Sequence, residues 1–441
     1  MVGVPHDVVH GREYGDKLLS VPVALEWDRT VGGFKIVTKS ETAFAERDGF
    51  GRSRVSNPET LFDGQFRYDE SPLLWQSRLD GGSVMHLPAQ GAVRLRAAAD
   101  EEALYQTRRY FPYQAGKSQL VQMTGLFPTQ AGATARAGYF DDNDGIYFQV
   151  ADGVAGFVVR SSVSGAVVNT LVPQSSWSED GFDGSGPSGL VLDLTKGQNI
   201  VFDMQWLGIG RVRCGFDDGG VKYYVHVFDF SNKIALPPYM LTATLPVRYE
   251  VVGATGMAGN ADLTAVCSAV MSEGGLHLVQ GFPFHAHKLT ATTVDNDPIV
   301  PLVSIRPKAT FNSLVNRTWI VPKRVSALND GQVPAHVYII YGGALTNPSW
   351  ADVNAESAVE RDISATAIAG GIHIDGMFLP SGNGNQTQGL EQGLIEILPL
   401  TLDVDGGHPT SPLTDVLTIA ASTMEAQTTS VFGMVSWSEL R

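Results

Sequence analysis

The chain has 441 residues, 43% of them hydrophobic and 17% charged, which exceeds what one core usually organises, predicts two or three folded domains and excludes extended disorder. Its formal net charge of -15 argues against a phosphate-tracking groove, which needs an excess of Lys and Arg, so nucleic acid is not an expected partner. The two cysteines, Cys214 and Cys267, lie in apolar, strand-like surroundings; they exclude a disulfide framework, allow one bridge, and are read as buried free thiols.

The first residues, MVGVPHDVVHGREYG, lack the basic start and apolar run of a secretory leader. No apolar stretch approaches the roughly 18 residues a spanning helix needs, so the expectation is a soluble chain made in a cytoplasm, without membrane insertion. Residues 1–60 are read as an N-terminal attachment arm. From 61 to 275, short β-branched and aromatic runs closed by Gly, Asp, Asn or Pro predict a β-sandwich or jelly roll. Within it GYFDDNDGIYFQV (138–150) reads as a hairpin turning on Asn143, Asp144 and Gly145. GFVVRSS (156–162), VLDL (191–194), NIVFDMQWLG (199–208), GRVRCGF (210–216), KYYVHVFDF (222–230) and LPVRYEVVG (245–253) read as strands, with Trp206 in a core position. LTAVCSAVMS (263–272) fits a strand better than a helix. ADEEALYQTRRY (99–110) and SWADVNAESAVERD (349–362) carry helix-forming stretches, the second with Ser349 as a possible N-cap.

EGGLHLVQGFPFHAHK (273–288) lacks periodicity and marks the boundary to a second β domain over 276–441. Its expected strands are IVPLVSI (299–305), NRTWIV (316–321), AHVYIIYGG (335–343), GLIEILPLTL (393–402) and SVFGMVSWSEL (430–440). SGNGNQTQG (381–389) is an exposed polar loop by composition. No repeat of 20 to 50 residues is visible, which argues against propellers and solenoids.

Signals for chemistry are few. There is no short Cys pair and no HExxH, and His285 and His287, which would share a strand face, read as a solvated pair rather than metal ligands. DDNDG (141–145), DNDP (295–298) and DVDGG (403–407) gather oxygens suited to calcium, but the same residues are what hairpins require, and they read as turns. No metal or cofactor is therefore expected. Glu391 and Glu396 stand an odd number of positions apart and would face opposite ways on one strand; no E-x-D or E-x-E pair lies in an aromatic strand. No nucleophile elbow, P-loop or dinucleotide fingerprint occurs, so no catalytic residue is assigned and a non-enzymatic chain is expected. The closely spaced Arg52 and Arg54, Arg94 and Arg96, and Arg108 and Arg109 read as solvated faces. Trp177 and Phe182, inside the Ser/Asp/Gly-rich loop 176–189, are the candidate glycan- or partner-binding residues, because an exposed ring can cover the apolar face of a sugar. The competing reading is that Trp177 anchors the loop to its own sandwich.

FGRSRVSNPETLFDGQFRYDESPLLW (50–75) resembles a motif of tailed-phage virion proteins. The resemblance continues through QTRRYFPYQAGKSQLVQMTG (106–125), GYFDDNDGIYF (138–148), DGSGPSG (183–189), DMQWLGIGRVRCGF (203–216) and LPVRYEV (245–251), covering about residues 50 to 275. It implies a concanavalin-like jelly-roll sandwich, followed here by the second β-sandwich, in a tail fibre, capsid fibre or minor structural protein of a virion. Expected partners are other virion proteins, further copies of the chain in a homo-oligomer such as a trimer, and a host surface glycan. No heptad or collagen-like period follows, so a compact spike, decoration or baseplate component fits better than a slender fibre. A capsid cement protein, and a glycan-binding or glycan-cleaving enzyme on the same fold, are the rival readings.

Overall fold

The computed structural model describes residues 23–28, 33–38, 58–234, 238–274, 281–381, 390–393, 399–410 and 413–441. An antiparallel hairpin, β1 (Val23–Asp28) and β2 (Gly33–Thr38), is the described part of the expected arm. The first sandwich contains β3 (Pro58–Gln65), β4 (Trp75–Asp80), β5 (Ser83–Leu87), β6 (Ala92–Ala97), β7 (Glu102–Thr107), β8 (Gln119–Leu126), β9 (Ala133–Phe140) and β10 (Gly145–Ala151). It continues with β11 (Val154–Ser161), β12 (Val168–Pro173), β13 (Gln198–Gln205), β14 (Arg211–Asp218), β15 (Val221–Asp229), β16 (Val247–Gly253) and β17 (Ala261–Glu273). One sheet has seven strands in the order β12-β11-β10-β9-β16-β7-β4; the other has eight, β15-β14-β13-β8-β17-β6-β5 with β3 also on β17. This is the concanavalin-like jelly-roll sandwich that the sequence predicts.

Period-two alternation builds the two layers. On β16, Val247, Tyr249 and Val251 enter the core while Arg248 and Glu250 lie on the other face; on β9, Ala133, Ala135, Ala137 and Tyr139 point in and Arg136 and Gly138 out. Trp75 stacks on Tyr105 with centroids 5.0 Å apart, and Phe148, Phe157 and Phe216 pack as a second aromatic group. Each such buried ring is worth about 1.5–3 kcal/mol over leaving it in water. Gly138 is required by this packing: a Cβ there would lie 2.3 Å from the Ile146 carbonyl.

The second sandwich packs a sheet containing Phe282–His287, Thr429–Leu440, Trp319–Asn329 and Leu390–Gly393 against a six-stranded one. The latter runs 351–352, 359–362, 300–307, 417–423, 335–341, 372–379. Ile305, Val325, Val337, Ile339, Ile419 and Trp437 fill the space between them.

Several expectations change. Residues 99–110 contain strand β7, because Ala103 and Tyr105 are needed in the first core; residues 349–362 form two short strands, and the Ser349 N–H donates to Asp362 Oδ1 instead of capping a helix. VLDL (191–194) is no strand: Val191 makes a single bridge to Asp183. The aperiodic boundary holds a strand, Phe282–His287, because it pairs with the C-terminal strand. Within GLIEILPLTL, Gly393 ends a strand and Leu400 only bridges Ile320, while 394–398 lie outside the described residues. The loop 382–389 and Arg52 and Arg54 also lie outside them.

Candidate functional site at the junction of the two sandwiches

Strand β4 is one edge of the seven-stranded sheet, and the second sandwich meets the first there. Arg78 on β4 contacts Asp405, with Nη1 3.5 Å from Oδ1, and the Arg108 guanidinium lies 3.4 Å from the Thr414 hydroxyl. The Arg109 guanidinium covers Trp319 at 4.8 Å, and Arg317 reaches back over Tyr110 at 4.3 Å. Leu73 packs against the core of the second sandwich. Arg108 and Arg109 are thus not a solvated face. Burial lowers the pKa of both guanidinium groups, and planar, weakly hydrated arginines suit such a junction better than lysines.

A cleft of about 370 Å³ opens at this seam, lined by Glu70, Gln76, Arg78 and Arg108 of the first sandwich and Asp403 and Asp405 of the second. Gln76 belongs to its wall, and its Nε2 finds no acceptor among the described residues, while Trp75 beside it turns its ring into the first core. Gln76 is 7% exposed. Buried polar groups without partners are costly, on the order of 1–3 kcal/mol each, unless a water or ligand satisfies them.

The outer face of the same sheet continues from the cleft as a chain of charges. Arg78 grips Asp142 with both terminal nitrogens, at 2.8 and 3.1 Å. Arg248 donates to the same carboxylate at 2.6 Å and through Nε to Gln106 at 2.9 Å. Arg136 pairs with Glu250 and donates to Gln149. Glu102 approaches Arg78 from another side at 3.7 Å.

These surroundings drive two carboxyls in opposite directions. Burial, reinforced by Glu250, pushes the Glu102 carboxyl above its ordinary value against the pull of Arg78. Burial would also raise Asp142, but the hydrogen bonds and charges of Arg78 and Arg248 outweigh it and hold that carboxyl well below the usual range. Asp142 is thus the ionised centre of a charge network that ties strands β4 and β16 to the β9–β10 turn. From sequence, Asp142 reads only as part of the DDNDG turn (141–145) and Glu102 is given no role, because one comes from the β9–β10 turn and the other from β7, and spacing along one strand does not connect them. The available signal was charge on alternate positions of otherwise apolar strands, as in Arg248 and Glu250.

The residues expected to bind glycan behave otherwise. Trp177 and Phe182 are 8% and 4% exposed, with Trp177 5.2 Å from Phe157 and Phe182 stacked 5.5 Å from Phe216. The Asp180 carboxylate pins their loop inward by accepting the Phe182 and Ser188 N–H groups. They anchor the loop to its own sandwich, which corrects the binding assignment.

The other candidates stay apart. His285 and His287 stack at 5.3 Å, and among the described residues no three His, Cys, Asp or Glu side chains are grouped to hold a metal ion. Asp141, Asp295 and Asp403 accept backbone N–H groups within their own turns. Glu391 lies on the strand Leu390–Gly393, and Glu396 is outside the described residues.

No family model matches the chain, and no curated protein matches its sequence. Among solved structures it is similar to the Bacillus licheniformis beta-glucanase at 12% identity, covering 49% of this chain and 98% of that one with a TM-score of 0.32. A glycosyl hydrolase family 16 protein of Mycobacterium smegmatis aligns at 13% identity over 48% of this chain and 100% of its own, TM-score 0.32. A Bacteroides ovatus mixed-linkage glucan GH16 protein aligns at 10% identity over 48% and 99%, TM-score 0.33. Likeness at this level speaks to the fold alone. The solved structures named here are glycan-cleaving enzymes, so the expectation of a non-enzymatic chain is withdrawn, and no activity is carried over from them to this chain.

Proposed function

We propose that the chain engages a glycan in the cleft between its two sandwiches, as a glycan-binding or glycan-cleaving protein. The observation that carries the reading is the cleft itself: room for a small saccharide, a buried Gln76 amide donor without an acceptor among the described residues, and guanidinium and carboxylate groups around the rim. Sugar hydroxyls donate and accept at once, so one saccharide can satisfy both kinds of group.

The test is incubation with a panel of bacterial surface polysaccharides, reading reducing ends released and retention in affinity electrophoresis. Glycan-dependent retention that Thr410→Trp abolishes supports the reading, because Thr410 is exposed and lines the cleft. Release of reducing ends that is lost in Thr410→Trp adds cleavage to binding. Retention unaffected by filling the cleft would sink it.

A second reading concerns place rather than chemistry. The ordered run of segments between residues 50 and 275 that resembles tailed-phage virion proteins supports a position on a phage particle, where a glycan-engaging sandwich would serve host attachment. A reconstruction of the parent particle with density for this chain projecting outward fits that placement. Density buried between shell subunits favours the cement role, and absence from the particle rejects both.

A further inference from the structure

The two edges of the seven-stranded sheet are treated differently. β4 carries Arg78 and Asp80 and is engaged by the second sandwich, whereas β12 (Val168–Pro173) has β11 on one side and no strand on the other among the described residues. An open edge presents a row of backbone donors and acceptors, and natural sheets protect such edges with charge, bulges or a covering element. β12 has no charge to protect it. From Ser161 to Ser178 there is not one charged side chain, in a protein whose net charge is -15.

The strand is also apolar on both sides. Val168 and Leu171 point to opposite faces and are each 49% exposed, and Val167 before them is 46% exposed. Val168 shares the face that Val159 and Phe157 turn to the core, so β12 reaches past the layer that covers its neighbours. Two other edges are guarded by charge: β15 carries Lys222 and Asp229, and the edge strand Ile372–Leu379 of the second sandwich carries Asp375.

We propose that β12 is the interface with a second copy of this chain, the two β12 strands pairing antiparallel about a two-fold axis. Charge selects the occupant. Two copies at -15 repel over most of their surfaces, and the uncharged strip from Ser161 to Ser178 is where they approach at least cost. Antiparallel pairing of a strand with its own copy is self-complementary and closes at two. The pair forms one continuous sheet of seven strands from each copy. Because β4 lies at the far edge, both Arg78 clefts stay open at opposite ends, and the dimer would meet a repetitive surface with two sites. The pairing itself does not depend on what the cleft binds.

The test is sedimentation velocity of the full chain over a range of concentrations, alongside Leu171→Lys and, as a control, Val221→Lys on the edge strand β15. The expected result is a concentration-dependent shift from 47.3 kDa to twice that mass, lost in Leu171→Lys and kept in Val221→Lys. Intact far-ultraviolet dichroism and a melting temperature equal to that of the wild-type chain diluted to monomer exclude simple misfolding. A chain that remains at 47.3 kDa throughout overturns the proposal, as does an oligomer that Leu171→Lys leaves intact or one of three copies.

Discussion

Replacing Asp142 by Asn probes the charge chain on which the site is built. Arg248 is fully buried and has Asp142 as its closest carboxylate, at 2.6 Å against 3.9 Å for Glu250. Arg78, on the other side, is about one-third exposed and can turn to water. Breaking a fully buried ion pair costs about 3–5 kcal/mol, because the surviving charge is stranded. The Asp142 side chain is 46% exposed, so water reaches part of the vacated space. That brings the expected loss to about 2–3 kcal/mol, the Arg78 contact adding under about 1 kcal/mol. For a sandwich of this size the melting temperature should fall by about 4–12 °C near neutral pH, read by calorimetry.

The pH dependence has a fixed sign. Asp142 has a lower pKa folded than unfolded, so its contribution is complete above the ordinary carboxylate range and shrinks as pH falls below about 4. The gap between wild type and Asp142→Asn should therefore narrow on acidification. A variant melting within 1 °C of wild type at neutral pH, or a gap that widens in acid, would refute the account of this network.

Other substitutions separate anchoring from binding. Trp177→Ala should lose about 3–5 kcal/mol by denaturant titration, as deletion of a core ring does, whereas a rim residue would lose almost nothing. Arg317→Ala removes the contact over Tyr110 and the hydrogen bonds to the Asp403 and Val404 carbonyls, so one calorimetric transition should split into two; a single unshifted peak would deny it a part in the junction. Cys214 is fully buried and its thiol is pushed well above its ordinary pKa, so a thiol reagent should modify it only after unfolding; rapid labelling of the native chain at that position would contradict the packing.

How far the sequence reveals the structure depends on whether the deciding contacts are local. The alternation in LPVRYEVVG and the turn DDNDG lie within a few residues of their causes, and both elements appear where the sequence places them. Residues 99–110 have helix-favouring composition, but the core claims Ala103 and Tyr105 on alternating contacts with partners far along the chain, and the segment is a strand. Trp177 in a Ser/Asp/Gly loop looks exposed until Asp180 is seen to fold the loop onto Phe216. The junction was the least legible part. Arg108 and Arg109 read as surface charges because their partners, Thr414 and Trp319, lie in the other sandwich. Glu102 on β7 and Asp142 in the β9–β10 turn are brought together by Arg78 on β4, which contacts both.

The central claim is that a glycan occupies the cleft at this junction. Binding of the labelled wild-type chain to an array of bacterial surface glycans, compared with Thr410→Trp at matched concentration, tests it most directly. The account predicts selective binding by the wild type and at least a tenfold weaker signal from the variant, a loss of about 1.4 kcal/mol or more. Equal binding by the two proteins, or binding to none of the glycans, would contradict it.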